Sequence, residues 1–331
     1  MNPTDNRRKR GRDFWPKRIL LMAFVLVGVL GYFSDKINPY YADVLTTMGI
    51  NIIMAVSLNL VNGYTGQFSL GHAGFMGAGA YASATVTLFI GPKILPPDTA
   101  AHYAWATNAL FAGALLVGGF VAALAGLLVG APSLRLKGDY LAIVTLGFGE
   151  IIRVIFQNIP ALGGGLGLNG IPPYTSLAWV YGTAVVCIYI VLTMVHSTYG
   201  RGFLAVHDDE VAAEAMGLNT TRYKIVAFVV GAFFAGIAGG LYGHDTLSID
   251  PKGFGFMHSI DFVVIVILGG MGNTPGVIAA AIVLTLLPEF LRKWLSNAEE
   301  YRMVVYSFLL IVLMLTRPQG LFAWRRKIKS V

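Results

Sequence analysis

Four carboxylates, Asp208, Asp209, Glu210 and Glu214, crowd into YGRGFLAVHDDEVAAEAMGLN (199–219), in a chain with only 17 acids among 331 residues. Their spacing suits a helix N-terminus. Asp208 fits the cap, and Asp209 and Glu210 fit the first turn, where the helix dipole favours negative charge. Gly217 suits the left-handed position just past a helix end. Between them Val211, Ala212 and Ala215 make an apolar strip, with Leu218 after the stop. A helix of about two turns is marginal alone in water. It needs a surface to lie on, either its own bundle or another chain.

Other ionisable groups are sparse. Glu150 and Arg153, three apart in GFGEIIRVIF (147–156), share a helix face and form a candidate intramembrane ion pair. Asp261 begins SIDFVVIVIL (259–268), and a proton-coupled carrier would need such a carboxylate near the bilayer midplane. The histidines (His72, His102, His196, His207, His244, His258) are scattered and no H-E-x-x-H occurs, so no metal site is expected. Cys187 is the only cysteine, which precludes an intrachain disulfide and points to packing. Gly165, Gly167 and Gly170 spell a dinucleotide fingerprint. An apolar run precedes them and IPPY follows, where the mechanism needs a strand and then a helix. A flexible loop is expected there. No G-x-x-x-x-G-K-[ST] occurs, and no catalytic residue is expected.

The elements that must position these residues are membrane spans. Hydrophobic residues make up 56% of the chain and charged residues 12%, about half the share of a soluble domain. Apolar runs fall near 19–33, 44–61, 69–90, 104–130, 139–157, 178–196, 222–242, 259–270, 276–291 and 303–316. A span needs about 20 mostly apolar residues, so the shortest runs can be half helices. The fold class is all-α: a polytopic bundle of about eight to ten transmembrane helices with a short coupling helix. Its parts are a basic tail (1–18), a membrane domain (19–318) and a second basic tail (319–331). The first run is an uncleaved span rather than a signal peptide.

Charge sets the orientation. An even span count puts both basic tails on one side, together with Arg135, Lys137, Arg201, Arg222, Lys224 and Arg317. Lys36, Lys93, Lys252, Arg292, Lys293 and Arg302 fall on the other side. The positive-inside rule then places both termini, and 199–219, in the cytoplasm. Gly231, Ala235, Gly239 and Gly243 recur every fourth residue, a face for close helix packing. Gly71, Gly74, Gly77 and Gly79 either do the same or break a helix beside a pathway. Segments 58–84 and 266–283 echo each other, each an apolar run, a Gly/Thr break and a small-residue run. Transporters often duplicate halves and bind substrate at such breaks. Asn59, Asn62, Ser69 and His72 are therefore candidate pathway-lining groups, and interhelical hydrogen bonding is their other reading.

GRGFLAVHDDEVAAEAMGLN (200–219) resembles the cytoplasmic coupling loop of permeases in ATP-driven importers. LNLVNGYTGQFSLGHAGFMGAGAY (58–81), LRLKGDYLAIVTLGFGEIIR (134–153), VILGGMGNTPGVIAAA (266–281) and RPQGLF (317–322) are similar to one branch, the branched-chain amino-acid permease family. The resemblance covers about 40–322. It implies a permease that forms the pathway with a homologous second permease in a bacterial inner membrane. Two ATPase subunits would hold the ATP and magnesium, and an extracytoplasmic binding protein would deliver leucine, isoleucine, valine or a relative. It implies that Asp208, Asp209, Glu210, Ala212, Ala213, Glu214, Ala215 and Gly217 couple to the ATPase. No cofactor is implied for this chain. Permeases of the same family for urea, amides or other amino acids are the alternative. An ion-coupled secondary transporter, a lipid-modifying membrane enzyme and a purely structural subunit are further readings.

Overall fold

The computed structural model describes residues 28, 31, 37–94, 104–133, 139–294, 307–308 and 311–312. Both basic tails, Arg135, Lys137, Arg302, Arg317, and the runs at 19–33 and 303–316 lie essentially outside the described residues. Among the described residues, seven helices are long and apolar enough to cross a membrane, and Phe256–Gly269 is a shorter apolar helix. These eight match eight of the ten expected runs.

The first helix, α1 (Pro39–Asn59), is started by the Asn38 side chain, which accepts from Tyr40 N, and by Pro39 at the first position. A π-helical turn, Leu60–Tyr64, ends it. The chain then runs without helix to α2 (His72–Thr85), which continues through a second π turn to Ile94. Next come α3 (Ala104–Ser133), α4 (Asp139–Gln157), the two-residue strand β1 (Leu168–Asn169) and α5 (Leu177–His196). Two short helices follow, α6 (Thr198–Asp208) and α7 (Glu210–Ala215), and then α8 (Thr220–Thr246). β2 (Ser248–Ile249) pairs antiparallel with β1. The described order closes with α9 (Phe256–Gly269) and α10 (Thr274–Trp294).

Lipid tails give no hydrophobic drive between helices, so close contact must come from small residues. The core is built that way. Spans α1, α2 and α8 are 72%, 67% and 67% buried, against 17% for α4 and 22% for α5, which ride on the outside. A Cβ on Gly79 would strike the Gly236 backbone, and one on Gly239 would strike the Met76 carbonyl. Gly231, Ala235, Gly239 and Gly243 are all buried along α8, as the four-residue spacing predicts. Gly74, Gly77 and Gly79 pack inside α2, whereas Gly71 sits at the break just before it.

One feature departs from the expected pattern and one follows it. The 163–170 stretch is no free loop, since β1 pairs with β2 and Ile171 N donates to Leu247 O at 3.2 Å. Helix α9 is a half helix. Its N-cap, Gly255, has no capping side chain, and Glu150 reaches over from α4 to accept from Phe256 N at 2.9 Å. The same carboxylate meets Arg153 Nε at 2.6 Å, so the expected pair forms and also starts another helix.

Candidate functional site

The acidic segment begins with the Ser197 hydroxyl, which accepts from Tyr199 N and Gly200 N and starts α6. Tyr199, Phe203 and Tyr223 stack α6 onto the foot of α8, with the two tyrosine rings 4.5 Å apart. Gly202 is needed here because a Cβ would meet the Tyr223 ring. Asp208 closes α6 and does not cap α7, contrary to the sequence expectation. Asp209 is the cap: its backbone is extended, and its Oδ1 accepts from Val211 N at 2.9 Å and Ala212 N at 3.0 Å. The reason for the one-residue shift is that α6 itself runs through Asp208. Gly217, at φ +82°, ends α7. Gly217 N donates to Glu214 O and Leu218 N to Ala213 O, the paired bonds of a Schellman stop.

Both acids on α7 bind back to α8: Glu210 is partly buried, and Glu214 is exposed. Glu210 Oε1 lies 2.6 Å from Lys224 Nζ on α8, with the lysine only 7% exposed. Thr220 Oγ1 donates to Glu214 Oε1 at 2.8 Å. Ala213 is buried between them. Val211, Ala212, Ala215 and Met216 face out, Val211 at 67% and Met216 at 84% exposure. Charge therefore fastens this helix to its own bundle, and the strip it displays is apolar.

The four candidate pathway residues lie at the break between α1 and α2 and are all buried. Asn59 Oδ1 accepts from Gly272 N at 2.9 Å, and Asn62 Oδ1 from Ser69 N at 3.1 Å. His72 Nε2 meets Ser57 Oγ at 2.9 Å. The Asn59 and Asn62 oxygens and the His72 ring thus tie the break to itself and to neighbouring segments. The Asn59 and Asn62 Nδ2 atoms, the Gln67 amide and Ser69 Oγ have no hydrogen-bond partner among the described residues. Tyr64 OH and Thr274 Oγ1, 2.9 Å apart, bring the two echoing breaks into contact. Gly66 lies against His207 of α6, so this break touches the α6–α7 segment.

A second polar region opens at the other end. Tyr181 OH donates to Leu45 O at 3.0 Å, which sets the start of α1 beside the start of α5, near the β1–β2 pair. There α1, α9 and α10 line a half-open cavity of about 620 Å³. Buried Phe262, Ile265 and Leu284 form its apolar wall. Asp43, Asp261 and Glu289 line it, with His258 and Arg292. Asn51 Nδ2 donates to Thr285 Oγ1 at 2.9 Å, and Tyr40 OH donates to Glu289. None of the four residues chosen from the sequence lines this cavity. Only Asp261 had been singled out there, and no local spacing could join three segments so far apart in the chain. Among the described residues no three His, Cys, Asp or Glu side chains gather as a metal site, and Cys187 is buried.

Residues 40–314 match the family model for the permease component of the branched-chain amino acid transport system. The chain belongs to this permease family. The permease is 32% identical, over 95% of its length and 77% of the relative, to the high-affinity branched-chain amino acid transport system permease protein LivM of Salmonella typhimurium. It is 32% identical, over 94% of its length and 76% of the relative, to LivM of Escherichia coli. It also resembles the Salmonella typhimurium permease LivH, at 26% over 81% of its length and 90% of the relative. No solved structure matches it. With seven apolar helices of spanning length among the described residues, the permease is a multi-pass membrane protein.

Proposed function

We propose that this permease is one of two homologous membrane subunits of an ATP-driven importer of branched-chain amino acids. A second permease completes the pathway, two ATPase subunits drive it, and an extracytoplasmic binding protein delivers substrate. The named relatives are transport permeases for these amino acids, and one sequence resembles both LivM and LivH. The single observation that carries the coupling role is the outward apolar strip of α7, held in place by the Glu210–Lys224 bridge. Such a strip on a pinned short helix suits insertion into a groove on an ATPase subunit. Arg201, Arg222 and Lys224 at this end put it in the cytoplasm by the positive-inside rule. Both termini are then cytoplasmic.

ATP-driven closure of the ATPase pair pushes α7. Its bonds to α8, and the contact of His207 with Gly66, pass that motion to the break at 65–71 and so to the pathway. The test is the double variant Val211→Asp/Met216→Asp in the co-expressed transporter. ATP-dependent leucine uptake and co-purification of the ATPase subunits should be lost, while insertion persists. Normal uptake by that variant would remove the coupling assignment. Competition of uptake by leucine against urea, with the cognate binding protein present, checks the substrate class.

A further inference from the structure

We propose that the cavity between α1, α9 and α10 binds an aliphatic amino acid by its ammonium group, received by Asp261 with Asp43 as the second carboxylate. The inference rests on the transport reading above and deepens it. The volume, about 620 Å³, lies within the range of small-ligand sites and exceeds what one leucine fills. The walls carry two chemistries at helical spacing. Asp261 and Ile265 are four apart on α9, as are His258 and Phe262, so each pair puts a polar group beside an apolar one on the same face. Buried Leu284 of α10 completes the apolar side.

The carboxylates are not equally engaged. Glu289 accepts from Tyr40 OH and lies 4.0 Å from Arg292. Asp261 is 65% exposed, with His258 Nδ1 no nearer than 3.7 Å. Asp43 is exposed and makes no hydrogen bond or ion pair among the described residues. An ionised carboxylate facing hydrocarbon is costly, so this face must meet water, protein or a cation. An ammonium beside an aliphatic chain matches both walls at once. The cavity also lies at the end opposite α7, where a binding protein outside the membrane would release its cargo.

The experiment uses the whole transporter in proteoliposomes with ATP and its binding protein. Asp261→Asn should raise the KM for leucine uptake at least about tenfold, the scale of a lost charge-assisted hydrogen bond. Asp261→Glu should recover part of it. A variant that lowers the maximal rate at constant KM, or changes neither, overturns the assignment. A second reading does not depend on that variant assembling. Cys187 is buried, so Thr47→Cys places a single accessible thiol in the cavity. Leucine should slow its maleimide labelling several-fold, and 4-methylpentanoate, which lacks the ammonium, should not. Equal slowing by both overturns the proposal, as does no slowing by leucine. Labelling only when the second permease is absent makes the cavity a subunit seat and also overturns it. Failure of the wild-type transporter to take up leucine would instead remove the transport reading itself.

Discussion

The α7 end and the α1–α9–α10 cavity use the same residue types in opposite senses. On α7 and its cap each carboxylate has a partner within the chain, Glu210 on Lys224, Glu214 on Thr220 and Asp209 on two backbone amides, and the apolar strip looks out. In the cavity the apolar residues are buried behind, and Asp43 and Asp261 look out. A helix whose charges are satisfied at home is rigid and offers an apolar contact, which suits a mechanical joint to another protein. A wall whose charges are left open offers an electrostatic contact, which suits a small polar cargo. Acidity alone does not tell the two apart; the partners of each carboxylate do.

The largest effect should come from undoing the fastening. Lys224→Ala leaves Glu210 partly buried without its cation. We expect a local loss of about 2 kcal/mol, less than for a fully buried pair because Glu210 keeps some contact with water. ATP-dependent uptake should fall more than tenfold. The exchange Glu210→Lys/Lys224→Glu should restore most of it, since the bridge is reformed with reversed sense. An exchange variant as impaired as Lys224→Ala would mean that Glu210 acts on a partner rather than on α8, and the contrast between the two regions would collapse.

A smaller effect is expected in the cavity. Asp43→Asn removes a charge at an exposed position, where a pair contributes about 1 kcal/mol. The KM for leucine should rise roughly fivefold with the maximal rate held. Combined with Lys224→Ala, the two losses should simply multiply, because the sites share no partner. A coupling above about 0.5 kcal/mol in that cycle would show that the two ends are not separate devices.

The sequence makes local patterns legible and leaves distant partners hidden. Seven spans and the shorter α9, the Glu150–Arg153 pair, the Gly217 stop and the small-residue face of α8 follow from local apolar runs or spacings of three or four residues, and the described residues have each of them. Helix α6 is obscured by Gly200 and Gly202, whose low helix propensity masks its role in fitting against Val195 and Tyr223. The bridge from Glu210 to Lys224 joins two helices across a Schellman turn, so no helical period reveals it. The cap that Glu150 gives α9 spans 106 positions. The cavity gathers 40–51, 258–265 and 284–292, and only the folded chain shows that Asp43 and Asp261 share it.

The smallest effect separates two neighbours that sequence cannot rank. Asp209 caps α7 through two amides, and losing such a cap typically costs about 1 kcal/mol. Asp209→Ala should therefore speed amide exchange across 211–216 and lower uptake a few-fold. Asp208 is exposed, and among the described residues its carboxylate meets only the imidazole of His207, at 3.1 Å. Asp208→Ala should leave both exchange and uptake unchanged. If the two substitutions behave alike, the acids act through their summed charge on a partner surface. If only Asp209→Ala is impaired, the segment works by holding α7 in shape, and what the other chain grips is its apolar strip.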